Sequence, residues 1–463
     1  MSRRLHCQAL VAEIGSTTTL VNAFDKLSDA PRFLGQGRAA TSVAQGDVLI
    51  GLREALDDLK MQLGIDELSY DDLFASSSAA GGLRMSVHGL VYDMTARAAQ
   101  AAALGAGALI QQITAGRLND SDLQQLRASP PNLILLAGGT DYGERETALH
   151  NAWAIAALAL KDTPVIYAGN VQNQPEIRAI FEAAQMDISL CENVYPRLDL
   201  LNIEPARKLI QQLFEIHIVK APGMARVYEM VTQPLMPTPG AVMAAARLCY
   251  QHMGDLLVID VGGATTDVHS ACEQSDEIAR IQTRAEPTFM RTVEGDLGVY
   301  VNAAHMISLM DEARLSQELQ MDVKEALAAL SPVPTQAAQQ RLVGRLAQEA
   351  GLQALQRHAG QIRSVFLPGG RQQIAEGKDL TPCQYLIATG GALTRLPDRQ
   401  RILESLRDMN HSRKWLYPKP GSLKILIDQH YIMASLGALS RVHPQAAMAL
   451  LRQSFEEGSA SIP

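Results

Sequence analysis

Leu10-Val11-Ala12-Glu13-Ile14-Gly15-Ser16-Thr17-Thr18-Thr19-Leu20-Val21-Asn22-Ala23-Phe24 enters as an apolar run, meets an acid, a glycine and four hydroxyl residues in succession, and leaves apolar again. Short apolar runs flanking glycine and hydroxyl residues read as strand, tight bend, strand. Glycine lets the backbone approach a ligand closely, and amides and hydroxyls at such a bend can donate to phosphate oxygens. An acid just before the glycine would repel phosphate directly. It makes sense facing a hydrated Mg²⁺ or a water about to attack. Taken alone, Ile14–Thr19 reads as a structural turn.

The pattern then returns. Leu256–Asp260 is an apolar run, Val261-Gly262-Gly263-Ala264-Thr265-Thr266-Asp267 a second bend, and Val268–Ala271 a second exit. Two copies of one device, far apart, imply a duplicated α/β core. Later, strand Tyr385–Ala388 runs into Thr389-Gly390-Gly391-Ala392. Two hairpins followed by a Gly-Gly-Ala turn point to a phosphate clamp with an adenosine seat. The phosphate loop GxxxxGK[ST] and the dinucleotide pattern GxGxxG are both absent.

Between these landmarks, strands are expected at Cys7–Ile14, Leu20–Phe24, Arg32–Gln36 and Leu73–Ser77, the last running into Ser78-Ala79-Ala80-Gly81-Gly82, with a helix at Asp47–Leu63. An alanine-rich helix is expected over Thr95–Ile113, interrupted at Gly105 and Gly107. Three strand–loop–helix units follow, with strands Leu133–Ala137, Val165–Ala168 and Ile188–Cys191 and helices Glu144–Leu160, Pro175–Ala184 and Glu204–Phe214. They imply a small parallel sheet. The loops after those strands carry Thr140, Asp141, Asn170 and Asn193, residue types that serve a ligand site or simply a turn; a face for docking a partner is the other reading. Residues 311–361 read as helical, the charges of Asp311–Glu325 as a solvated face. A last strand, Leu423–Asp428, feeds a helix from Tyr431 to Val442. The expected division is 1–84, 85–230 and 231–463: a first lobe, an inserted α/β domain, and a connecting helix with the second lobe.

The chain has 463 residues, too many for one ordinary core. With 47% hydrophobic and 19% charged residues it reads as globular. A net charge of −8 without a long basic run speaks against non-specific nucleic-acid binding. The apolar run after Ser2-Arg3-Arg4 breaks at Glu13, too soon for an export signal, and Ala98–Ile110 is far short of a bilayer span, so no membrane partner is expected. Cys7, Cys191, Cys249, Cys272 and Cys383 form no CxxC pair, which argues against a zinc or iron–sulfur site and fits reduced core thiols in the cytoplasm. His88, His269 and His430 are isolated and read as core or surface residues. Met224, Met230, Met236 and Met243 read as hinge packing.

This set of motifs resembles the actin, sugar-kinase and heat-shock-chaperone ATPase superfamily. Glu13–Thr19 is similar to its first phosphate motif, Asp260–Asp267 to its second, and Ile387–Pro397 to its adenosine motif. Pro237–Val242 and Tyr431–Leu439, the latter with Ala434 and Gly437, are similar to its two connecting motifs. The resemblance implies duplicated actin-like, ribonuclease H-like ATPase lobes with an inserted parallel α/β domain and a helical insertion in the second lobe, using ATP and Mg²⁺. Asp260 would orient the attacking water or a magnesium-bound water, Thr265 would sit near the γ-phosphate, and Glu13 would complete the catalytic set. Glu13, Asp260 and Asp267 would face the Mg²⁺, mostly through water. Gly15, Ser16, Thr17, Thr18, Gly262, Gly263, Ala264 and Thr265 would hold phosphates, and Gly390, Gly391 and Ala392 the adenosine. Two positions depart from the pattern: Glu13 stands where the superfamily usually has Asp, and Thr238 where it often has an acid or Gln.

A narrower resemblance rests on Ser77–Met85, Leu135–Asp141, Tyr167–Asn170, Cys191–Pro196 and Arg291–Gly298. These are similar to motifs of the MutL family, the accessory proteins encoded with adenosylcobalamin-dependent glutamate mutase (unrelated to mismatch repair). It runs over nearly the whole length, with Tyr142 standing where the family usually continues with glycine. It implies a chaperone-like protein that uses ATP to release damaged cobalamin from the mutase subunits, its partners. Homo-oligomer formation is left open. Two other classes compete: a small-molecule kinase, which needs a catalytic base in a substrate cleft, and an activator of a radical dehydratase, which needs paired cysteines for an iron–sulfur cluster.

Overall fold

Continuous apolar character at the start of the chain becomes the centre of a sheet. In the computed structural model, residues 3–42, 46–78, 83–104, 106, 108–198, 200–218, 223–282, 286–367 and 370–456 are described. β1 (Arg4–Ile14) is buried on both faces from Ala9 onward. It pairs antiparallel with β2 (Thr18–Asp25), which pairs antiparallel with β3 (Arg32–Ala40). The helix Val48–Leu63 crosses over, starting where the Asp47 side chain accepts from the Leu49 amide and stopping at Gly64 in the left-handed region. It returns the chain as β4 (Glu67–Ser77), parallel to β1.

The next five strands form a separate parallel sheet. β5 (Leu83–Gly89), β6 (Ala108–Ala115), β7 (Leu133–Leu136), β8 (Val165–Tyr167) and β9 (Ile188–Leu190) lie in the order β6-β5-β7-β8-β9. Alternation decides the faces. Leu133 and Leu135 join Met85, Val87 and the alanines of helix Arg97–Leu104, while Ile134 and Leu136 join Ile155 and Phe181. The helix expected over Thr95–Ile113 is corrected here. Residues 92–96 form one wide turn, Arg97–Leu104 is helical, and Ala108–Ala115 is the edge strand β6. Alanine carries helix propensity as far as Leu104, but beyond it backbone pairing with β5 prevails. Gly105 and Gly107, like Ala79-Ala80-Gly81-Gly82, lie outside the described residues.

β10 (Met236–Pro237) adds to the free edge of β4. The helix Thr238–Met253, with Pro239 in its first turn, then leads to β11 (Leu256–Val261), β12 (Thr266–Ala271) and β13 (Phe289–Glu294). Helices Glu312–Leu319, Val323–Ala328 and Ala337–His358 fill the expected helical stretch. A hairpin of β14 (Gln361–Leu367) and β15 (Gly370–Glu376) follows, then β16 (Tyr385–Thr389), β17 (Lys424–Ile427) and helices Met433–Leu439 and Pro444–Glu456.

The first sheet runs β3-β2-β1-β4-β10 and the second β13-β12-β11-β16-β17. In each, an antiparallel hairpin is extended by parallel strands on the other side of its first strand. The fold is thus an α/β protein of duplicated actin-like lobes with an inserted parallel α/β sheet. One core joins the inner faces of both lobes through helices Thr238–Met253 and Met433–Leu439. The other covers the far face of the second sheet with Ala337–His358. Two compact units result: Met1–Gly81, Ile218–Val293 and Leu297–Pro463 form one, Gly82–His217 and Glu294–Asp296 the other. All five cysteines are free thiols. No helix among the described residues is long and apolar enough to cross a membrane.

Candidate functional site

The two bends close identically. The Gly15 amide donates to the Thr18 carbonyl at 3.0 Å, and the Gly262 amide to the Thr265 carbonyl at 2.9 Å. Each turn follows a closing pair, Ile14 with Thr19 and Val261 with Thr266, so Glu13 and Asp260 hold equivalent positions. Gly15–Thr18 and Gly262–Thr265 all keep partial solvent access, while Thr19 and Thr266 are buried. The turns approach each other: a Cβ added to Gly263 would stand 2.9 Å from Thr17 Oγ1.

Their carbonyls are held by other parts of the chain. Gly15 O accepts from Thr41 Oγ1 at 2.8 Å and Thr17 O from the Thr41 amide at 3.0 Å. Gly262 O accepts from the Val299 amide, and Gly263 O from those of Tyr300 and Val301. Ala264 O accepts from Asn302 Nδ2 at 2.7 Å. Carbonyl oxygens engaged in this way leave amides and hydroxyls as the groups a ligand meets, which suits an anion.

Behind the turns lie the acids. Glu13 is buried, and its Oε1 accepts from the Ser435 amide at 2.8 Å and Ser435 Oγ at 2.5 Å. Burial pushes its carboxyl up to about 7, Ser435 opposes the shift, and nearby Asp428 and Asp260 add to it. Asp260 is likewise pushed up to about 7, by burial and then by Asp428. Asp267 lies opposite Asp260 across the hairpin and is buried.

Asp428 escaped the sequence reading. It is fully buried and accepts from Thr389 Oγ1, the Met433 amide and Ser454 Oγ. Its signal was an acid ending a strand just before a helix, where it meets the first amides. Tyr431, at φ +54°, has its hydroxyl pushed well above the usual range by burial and then by Asp260, Glu13 and Asp428. Gln36 was missed as well. Its Nε2 donates to Asn22 Oδ1 and to the carbonyls of His430 and Tyr431, and its Oε1 accepts from Arg395. That side chain ties β3 of the first lobe to the second.

The adenosine-type turn divides its roles. Gly390 has φ +84°, and a Cβ there would collide with Asp260 Oδ1. Only glycine lets the end of β16 cross the tip of β11. A Cβ on Gly391 would meet nothing within 4 Å, so packing makes no demand for glycine there. Ala392 is buried.

These residues fit ATP: two turns offer amides and hydroxyls, and an open glycine adjoins them. For Mg²⁺, the described residues hold no group of three or more His, Cys, Asp or Glu arranged to take a metal ion. Mg²⁺ keeps several waters and needs only one or two carboxylates beside phosphate oxygens. Asp260 and Asp267 suit that donor set; Glu13 engages Ser435 through Oε1, and its second oxygen suits the same water-mediated role.

In the inserted unit, the strand-end residues satisfy one another. Asn170 Oδ1 accepts from the Tyr142 and Gln172 amides, and Asn193 Nδ2 donates to Gly139 O and Asp141 Oδ1. His88 and His269 are buried; His430 lies against Phe33 with ring centroids 5.1 Å apart.

The profile of the MutL protein family matches residues 9–455. A curated relative, Protein MutL of Clostridium tetanomorphum, is 34% identical over 463 aligned residues, covering 96% of this chain and 98% of the relative. Among solved structures, nucleotide-free acetone carboxylase is similar over 95% of this chain and 70% of its own, at 13% identity and a TM-score of 0.40. A diol dehydratase-reactivating factor, also nucleotide-free, covers 94% of this chain and 100% of its own, at 11% identity and a TM-score of 0.37. Likenesses this loose bear on neither fold nor activity.

Proposed function

Because this chain belongs to the MutL protein family, we propose that it is an ATP-binding, slowly ATP-hydrolysing accessory protein that reactivates or assembles an adenosylcobalamin-dependent mutase of the glutamate mutase type. The observation carrying the nucleotide part is the pair of turns closed by the same hydrogen bond, each with an acid two residues before its glycine. In this reading Ser16, Thr17, Thr18, Gly263, Ala264 and Thr265 hold the phosphates. Gly391 leaves room for the adenosine. Asp260 and Asp267 hold the waters of Mg²⁺, which supplies charge neutralisation at the phosphates when bound. Asp260, its carboxyl raised to about 7, orients a water and takes its proton. Nucleotide states that bind open and closed forms of the lobes unequally would then drive release of a damaged cofactor from the partner.

The test is rescue. Wild-type protein with Mg-ATP and fresh adenosylcobalamin should restore a glutamate-type mutase stalled with hydroxocobalamin, releasing inorganic phosphate. Asp260→Asn should still bind ATP but turn it over about 100-fold more slowly or worse, and should rescue poorly. Equal rescue by both proteins, or a phosphorylated metabolite as product, would overturn the proposal.

A further inference from the structure

The residues behind the turns suggest a role that the motifs themselves do not carry. Asn302 directly precedes the helix Ala303–Ser308, where an asparagine side chain ordinarily accepts from an amide of its own helix. Here it makes no such bond. Its Nδ2 donates instead to the carbonyl of Ala264, 38 residues back. In the duplicated lobe the same place in the turn belongs to Thr17, whose carbonyl is held by the Thr41 amide, while Thr41 Oγ1 holds the carbonyl of Gly15. Two residues of unrelated type, Thr41 directly after β3 and Asn302 in the stretch after β13, the strand that holds the same place in the second sheet, therefore perform one task in the two copies. Each fixes the peptide planes of a turn by engaging a carbonyl oxygen, and a peptide whose oxygen is fixed has its N–H direction fixed as well.

We infer that Thr41 and Asn302 are positioning residues for the phosphates: neither touches the ligand, and each aims the amides of one turn. This rests on the nucleotide reading above. A peptide plane free to rotate can turn its carbonyl toward a phosphate, which repels it. Losing either hold should therefore weaken binding of phosphates and leave the nucleoside alone.

The experiment compares ATP, ADP and adenosine by calorimetry on the full-length protein. Thr41→Val keeps the side-chain shape without the hydroxyl, and Asn302→Leu is nearly isosteric without a donor. Each should weaken ATP and ADP by about five-fold, the scale of one hydrogen bond, with adenosine unchanged. Thr41→Ser should restore wild-type affinity. Equal weakening of ATP and adenosine would mark a general structural defect and overturn the inference, as would unchanged ATP affinity. Melting curves accompany each variant; if Asn302→Leu fails to fold, Thr41→Val and its serine partner decide. A wild-type protein that bound none of the three would remove the nucleotide reading and this inference with it. A wild type that binds ATP beside variants that bind it equally well would remove this inference alone.

Discussion

His88 shows how one buried side chain sets a pH dependence. It sits on β5 with no exposure, Nδ1 2.8 Å from Thr114 Oγ1 and Nε2 3.1 Å from Ser86 Oγ. Burial lowers its pKa from 6.5 to about 4, with Asp122 pulling the other way. The unfolded chain takes up the proton near the ordinary value, while the folded chain resists until about 4. The stabilisation from neutral His88 is thus complete above the unfolded value and is lost as pH falls through the folded one. Between pH 7 and 4.5, the wild-type melting temperature should fall further than that of His88→Gln; parallel pH profiles would refute this. Position alone could not show which residues meet. Glu13, Gly15 and Asp260 stood out because an acid and a glycine interrupting an apolar run break a local pattern. Ser435 and Gln36 break none. Ser435 lies 422 residues from Glu13, and Gln36 meets the His430 and Tyr431 carbonyls and Arg395, 359 to 395 residues along the chain. Their chemistry belongs to the packed state.

The helices Thr238–Met253 and Met433–Leu439 cross at bare backbone. A Cβ on Gly437 would collide with the Ala241 carbonyl and stand 3.2 Å from the Ala245 amide. Neither neighbour is the yielding end of a side chain. Gly437→Ala should therefore cost about 3 kcal/mol, at the upper end of overpacking, and appear as a melting temperature several degrees lower. Gly391→Ala should leave melting nearly unchanged, because its Cβ enters open space, and should show its cost in ATP affinity instead. A stable Gly437→Ala protein would mean that the helices can separate without loss. Elements were legible where burial imposed a period, as in Val48–Leu63 and the strands on either side of each bend. They were illegible where pairing overrode composition. β5 and β6 lie beside a glycine- and alanine-rich stretch whose intrinsic preference is not strand. β14 and β15 form a two-stranded sheet of their own, and β15 buries little besides Ala375, so neither shows clean alternation.

The two units differ in how their parts are spread along the chain. The inserted sheet, β5 to β9, is complete within Leu83–Leu190. The first lobe is nearly complete in strands by Ser77, yet the inner face of β1 and β4, with Ala9, Val11 and Phe74, shares its core with Ile432, Met433 and Leu436. On the ribosome these partners are separated by some 355 residues of further synthesis, which takes roughly 20–70 seconds at ordinary elongation rates. Throughout that interval the emerging chain carries an apolar sheet face whose cover has yet to be made, the condition in which nascent proteins aggregate or recruit holding chaperones, whereas all five strands of the inserted sheet are already present. Chains stalled near residue 260 should accordingly yield, under limited proteolysis, a resistant fragment spanning about 83–217, while residues 3–77 are digested. Equal resistance of both regions would show that the first lobe closes without its C-terminal helix. The order of the elements along the chain thus predicts that the first lobe closes only after its C-terminal helix is made.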